Sequence, residues 1–137
     1  MTTRILRLLL IVSFASPVIG VVPDVITGEI LVGSWVEHDG DKRLSKTTDV
    51  TFRPNGTFSS RIVWRSGSAE ARFEWRGKWR VKNGVLIEEV TSSTTPEWPN
   101  IGAITRVSVV DVTQKEWRFR TERGEKHTYK RKGGLEA

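Results

Sequence analysis

Two histidines, His38 and His127, are the whole imidazole complement of this 137-residue chain. His38 runs into Asp39-Gly40-Asp41, which gathers an imidazole and two carboxylates as a metal or acid–base site would. Asp-Gly-Asp is equally the chemistry of an ordinary turn. Glu88 and Glu89 are adjacent carboxylates, and neighbours in a strand point to opposite faces, so they cannot act on one bond. His127 shares a strand face with Tyr129, with no nucleophile at a telling spacing. The chain has no cysteine, which removes disulfides, thiolate metal ligands and a thiol nucleophile. There is no glycine-rich phosphate loop, EF-hand loop or zinc pattern. These residues predict no catalytic set, no metal and no cofactor: a non-enzymatic protein.

Binding chemistry is better represented. Phe52, Phe58, Trp64, Phe73, Trp75, Trp79, Trp117 and Phe119 all fall on apolar faces of alternating segments. They either fill a core or line an apolar pocket for a small apolar or amphipathic ligand. The candidate ligand-binding residues are Phe58, Trp64, Phe73, Trp75 and Trp79, with Arg106 as a polar anchor for a carboxylate or a partner for an internal Glu88. Arg106 serves only if its side of the strand, shared with Ile104, Ser108, Val110 and Val112, is internal; the pattern allows either side.

A second set, Arg61, Arg65, Arg72, Arg76, Lys78 and Arg80, projects to the opposite side, opposed there only by Glu70 and Glu74. Such a basic face either keeps the surface soluble or meets an anionic partner: an envelope glycan, acidic lipid head groups or an acidic protein. No aromatic residue interleaves these charges, which disfavours nucleic acid, whose single strands need stacking platforms.

The elements that must carry these groups are strands. In Arg72 to Val81, Phe73, Trp75, Gly77, Trp79 and Val81 take one face, and Arg72, Glu74, Arg76, Lys78 and Arg80 the other. A strand sorts residues this way and a helix mixes them. Pro54-Asn55-Gly56 and Lys82-Asn83-Gly84 separate alternating runs, and Asn-Gly there signals a hairpin. Eight strands are predicted, at about 33–38, 47–53, 57–65, 71–81, 85–92, 103–112, 116–122 and 126–131. Nearly every link is a hairpin, which favours closure into an eight-stranded antiparallel up-and-down barrel over a two-sheet sandwich. Residues 21–32 form a helical or irregular lead-in, 33–132 the barrel domain and 133–137 a frayed tail.

Gly33-Ser34-Trp35 at the head of the first strand resembles the Gly-x-Trp signature of lipocalins and related eight-stranded barrels. Thr51-Phe52-Arg53-Pro54-Asn55-Gly56-Thr57-Phe58, followed by Gly77-Lys78-Trp79 and Asn83-Gly84, is similar to the order of parts in small bacterial lipocalin-like domains. The resemblance spans residues 33–131. It implies that Trp35 closes one barrel end, beside Gly33, and that a basic residue of the last strand, Arg131, packs on it. It also implies a ligand cup, although the chain lacks the disulfide and the C-terminal helix of larger members.

The first 20 residues read as an address. Arg4 and Arg7 precede the uncharged run Leu8 to Pro23, and Val18-Ile19-Gly20 offers a cleavage site after Gly20. The run is short for a membrane span, which needs roughly 17–25 apolar residues, and Pro17 interrupts it. The expectation is a signal peptide at 1–20, an extracytoplasmic mature protein (periplasmic or secreted) and no membrane span after cleavage. Removal of the leader's two arginines lowers the net charge from +6 to +4.

Overall fold

Every segment with two-residue alternation forms a strand. The computed structural model describes residues 22–95 and 97–133; the expected signal peptide and residues 134–137 of the expected tail lie outside them. A short helix α1 (Asp24–Leu31) leads into β1 (Gly33–Gly40), β2 (Ser45–Phe52), β3 (Thr57–Ser66), β4 (Ala69–Lys82), β5 (Val85–Ser93), β6 (Ile104–Val112), β7 (Glu116–Thr121) and β8 (Lys126–Arg131). The bounds differ from the sequence expectation by two residues at most. Neighbours in sequence pair antiparallel, and β8 pairs back onto β1 through Trp35–Arg131 and Val36–Lys130, so the sheet closes as an eight-stranded barrel. Closure gives every strand a paired neighbour on both sides.

One end of the barrel is sealed. Leu31 and Trp35 are fully buried there, with Phe52 beneath them. The Trp35 indole N–H donates to the Leu31 carbonyl at 2.8 Å, which ties α1 to the first strand. The Arg131 guanidinium lies 4.2 Å from the centre of the Trp35 ring and donates to the carbonyls of Ile30, Val32 and Gln114. Three backbone acceptors and one aromatic face thus converge on a single side chain, and the last strand is locked to the lead-in. Gly33 leaves room for it, because a Cβ at that position would overlap Arg131 Nη1.

The helix is also fixed to the wall by its first turn. Asp24 accepts from the backbone N–H groups of Asn83 at 2.7 Å and Gly84 at 2.9 Å. Those two residues hold φ of 52° and 73°, the doubly left-handed geometry that the Asn-Gly pair provides for a tight hairpin. Asp24→Ala removes two charge-assisted bonds and is expected to cost about 1–2 kcal/mol, read as a lower urea midpoint at unchanged slope. Unaltered stability would show that Leu31 burial and the Trp35 and Arg131 bonds to the Ile30, Leu31 and Val32 carbonyls hold the helix without Asp24.

Candidate ligand site inside the barrel

The opposite end of the barrel is open and leads into a cavity of about 250 Å³. Alternation builds its wall: the inward positions of each strand are every second residue. Val50, Phe58, Val90, Val107, Trp117 and Phe119 form the deep apolar part, and Trp75 stands beside them. Trp117 stacks on Phe119 at 4.6 Å and meets Tyr129 at 5.0 Å, so much of one wall is aromatic. At the mouth, Trp98 reaches over from the β5–β6 loop, edge-on to Phe73 at 5.8 Å and Trp75 at 5.5 Å.

The cavity is not purely apolar. Glu37, Thr48, Glu88, Thr105, His127 and Tyr129 also face it. His127 Nδ1 lies 2.9 Å from Glu37 Oε2; a carboxylate only accepts, so this nitrogen carries the proton. The imidazole stacks on Phe119 at 5.2 Å, which fixes its plane. Glu88 has no hydrogen-bond or ion-pair partner among the described residues. The barrel encloses it, yet it keeps accessible surface, because that surface faces the cavity. Enclosure without a compensating donor pushes its carboxyl up to about 7. Burial likewise raises the Tyr129 phenol above its ordinary value, and the charges of Glu37, Glu88 and Asp49 push it further, against a hydrogen bond with Thr48.

The structure sorts the sequence candidates. Phe58 and Trp75 line the cavity. Trp64 stands at the rim, 36% exposed, with Lys46 Nζ 5.3 Å from its ring centre, and half-buried Phe73 supports Trp98. Trp79 is absent from the cavity wall: its ring packs on Phe52 at 5.0 Å and its N–H donates to the Arg53 carbonyl at 3.0 Å, which staples the β2–β3 turn. Arg106 is a correction. Its neighbours Thr105 and Val107 face inward, and Arg106 is exposed on the outer wall, unable to anchor an internal ligand or reach Glu88. A bulge between Val109 and Asp111 then shifts the phase and returns Val112 to the inner side.

The barrel-closing residues Gly33, Trp35 and Arg131 come together at the sealed end, as described above. Glu37 and Thr48 are cavity residues that the sequence reading did not single out, His127 is one that it weighed only for catalysis, and Trp98 is one that it did not single out either. For the first three the signal was there: each lies an even number of residues from an inward apolar position on its own strand. Trp98 comes from an irregular loop with no period to read.

The basic residues Arg61, Arg65, Arg72, Arg76, Lys78 and Arg80 do project outward, interleaved with more acid than the alternation suggested. Glu70 pairs with Arg65 at 3.1 Å and Arg72 at 3.6 Å, and Asp49 pairs with Arg61 at 3.5 Å and Lys132 at 3.0 Å. Glu89 stands opposite Lys78 in register. A shallow depression of about 410 Å³ on this outer wall is larger than the internal cavity. Its Asp49, Arg61 and Lys132 are already engaged with one another and its floor is polar, so the enclosed aromatic cavity is the better candidate for small-molecule recognition. At the β1–β2 turn, Asp39 and Asp41 accept from Gly40, Arg43 and Leu44 backbone N–H groups, which is turn chemistry. No protein-family model matches this chain, and no curated protein is significantly similar to it.

Proposed function

We propose that the mature protein is an exported, non-enzymatic, lipocalin-like carrier that holds a small apolar or amphipathic molecule in the open half of its barrel. The observation that carries this reading is the 250 Å³ cavity with one sealed end and aromatic walls. A barrel of eight strands is just wide enough to be plugged by side chains. Here the bulky plug of Trp35, Phe52, Trp79 and Leu31 sits at one end, and the inward residues of the other half leave space. An apolar cavity of about 150 Å³ already accepts a benzene ring, so this one takes a ring with a short side chain. The leader-like N-terminus supports export.

The test is a titration with ring-sized probes such as toluene and 2-phenylethanol, followed by isothermal calorimetry and by emission of the wall tryptophans. Ligands of this size are expected to bind with dissociation constants of about 10–500 μM. Thr105→Phe, which places a ring in the mouth from an exposed wall position, is expected to weaken binding at least about tenfold. If a folded protein ignores all such probes, the cavity is not a ligand site and the reading fails.

A further inference from the structure

We infer that the cavity selects a small cationic amine, with its ammonium group against Glu88 and its apolar body against the aromatic wall. This rests on the binding reading above and adds the chemical class of the ligand.

The inference starts from a charge inventory of the interior. Five titratable side chains face the cavity: Glu37, Lys46, Glu88, His127 and Tyr129. Glu37 is engaged by His127 at 2.9 Å. Lys46 is the one lysine or arginine among the lining residues, and it lies at the mouth, over Trp64. Register places Glu88 between Trp79 of β4 and Thr105 of β6, neither of which supplies a cation. Glu88 therefore faces the cavity as a carboxyl without a counter-charge among the described residues. Removing a carboxylate from water without a partner is costly, and a bound cation is the partner that repays it.

Two further observations point the same way. Burial first, and then the charges of Glu37 and Glu88, push up the Tyr129 phenol, so both carboxyls act on a group that lines the cavity. The cavity walls also carry the aromatic rings of Phe58, Trp75 and Tyr129, and aromatic faces attract ammonium groups within about 6 Å. A ligand carboxylate would meet two carboxyl groups, with Lys46 at the rim the one lysine or arginine in the lining. A neutral alcohol would gain only a hydrogen bond from the protonated form of Glu88. The space fits one ring and about two further carbons, the dimensions of an arylethylamine.

The experiment compares three probes of one size, 2-phenylethylamine, 2-phenylethanol and 3-phenylpropionate, by calorimetry at pH 8 on the wild-type protein and on Glu88→Gln. The amine is expected to bind at least about tenfold tighter than the alcohol, and the acid not measurably. Glu88→Gln is expected to lose that tenfold advantage while its affinity for the alcohol stays within about twofold. A second readout needs no variant. At pH 6.5, in two buffers of different ionisation enthalpy, binding of the amine to the wild type should release a proton and binding of the alcohol none, because an ammonium holds Glu88 ionised. If the alcohol binds as tightly as the amine, or the amine releases no proton, the amine assignment is wrong while the cavity reading stands. If none of the three binds, both fall together.

Discussion

Gly77→Ala is expected to destabilise the barrel by about 3 kcal/mol or more and to lower the melting temperature by roughly 10–15 °C. Gly77 is buried in the middle of β4, opposite Phe58 of β3 and Val90 of β5, where the β4–β5 register shifts at a bulge. A Cβ there would overlap the carbonyl oxygen of Glu89 and lie 2.7 Å from Phe58 Cε1. Neither neighbour can yield cheaply. The carbonyl is backbone in a paired strand, and Phe58 is 1% exposed in the core. Relief requires β5 to move off β4, which would also displace Glu88 and Val90 from the cavity wall. Gly28 of α1 supplies the control, since a Cβ there meets nothing within 4 Å. Gly28→Ala should be neutral or stabilise by a few tenths of a kcal/mol through helix propensity. Urea and thermal unfolding of the two variants make the comparison. A Gly77→Ala protein within about 1 kcal/mol of wild type would mean that β4 and β5 are less tightly apposed than described.

The contrast between these two glycines marks what the sequence could convey. Inward and outward sorting was legible wherever alternation was unbroken. Phe73, Trp75, Gly77, Trp79 and Val81 share the inner side of β4, and Glu88 and Glu89 do separate to opposite faces. The pairing of Trp35 with Arg131 was legible only through the family resemblance, because nothing local to either residue announces a contact 96 positions away. Three things were not legible. The depth of a residue along the barrel axis depends on strand stagger, which period two does not encode. Hence Trp79 and Trp75, equivalent in pattern, fall respectively in the sealed plug and on the cavity wall. The face of Arg106 was ambiguous, because a bulge makes one strand carry apolar residues on both sides. The charge state of Glu88 follows from what does not surround it, and only three-dimensional packing reveals a missing partner.

Glu88 also makes the stability of the empty barrel depend on pH, in the direction opposite to that of most carboxylates. In the unfolded chain its carboxyl titrates near 4.5, and in the fold near 7. Between those values the folded state holds a proton that the unfolded state has released, so raising the pH favours unfolding. The contribution is fully present below about pH 4.5 and is lost as pH rises through 7. At about 1.4 kcal/mol per pH unit, the gap corresponds to about 3 kcal/mol. The wild-type protein is therefore expected to be up to about 3 kcal/mol less stable at pH 8 than at pH 5, and Glu88→Gln, which cannot ionise, should remove that slope and be the more stable protein at pH 8. Denaturant unfolding at both pH values provides the measurement; equal slopes for the two proteins would mean that Glu88 is solvated or paired in solution. The same proton connects stability to ligand. An ammonium group at Glu88 replaces the missing counter-charge, so at pH 8 a saturating amine should restore to the wild type much of what ionisation removes, and should do little for Glu88→Gln. An unpaired carboxyl facing an aromatic-walled cavity disfavours the empty barrel at pH 8, and a cationic ligand that supplies the counter-charge would offset that cost.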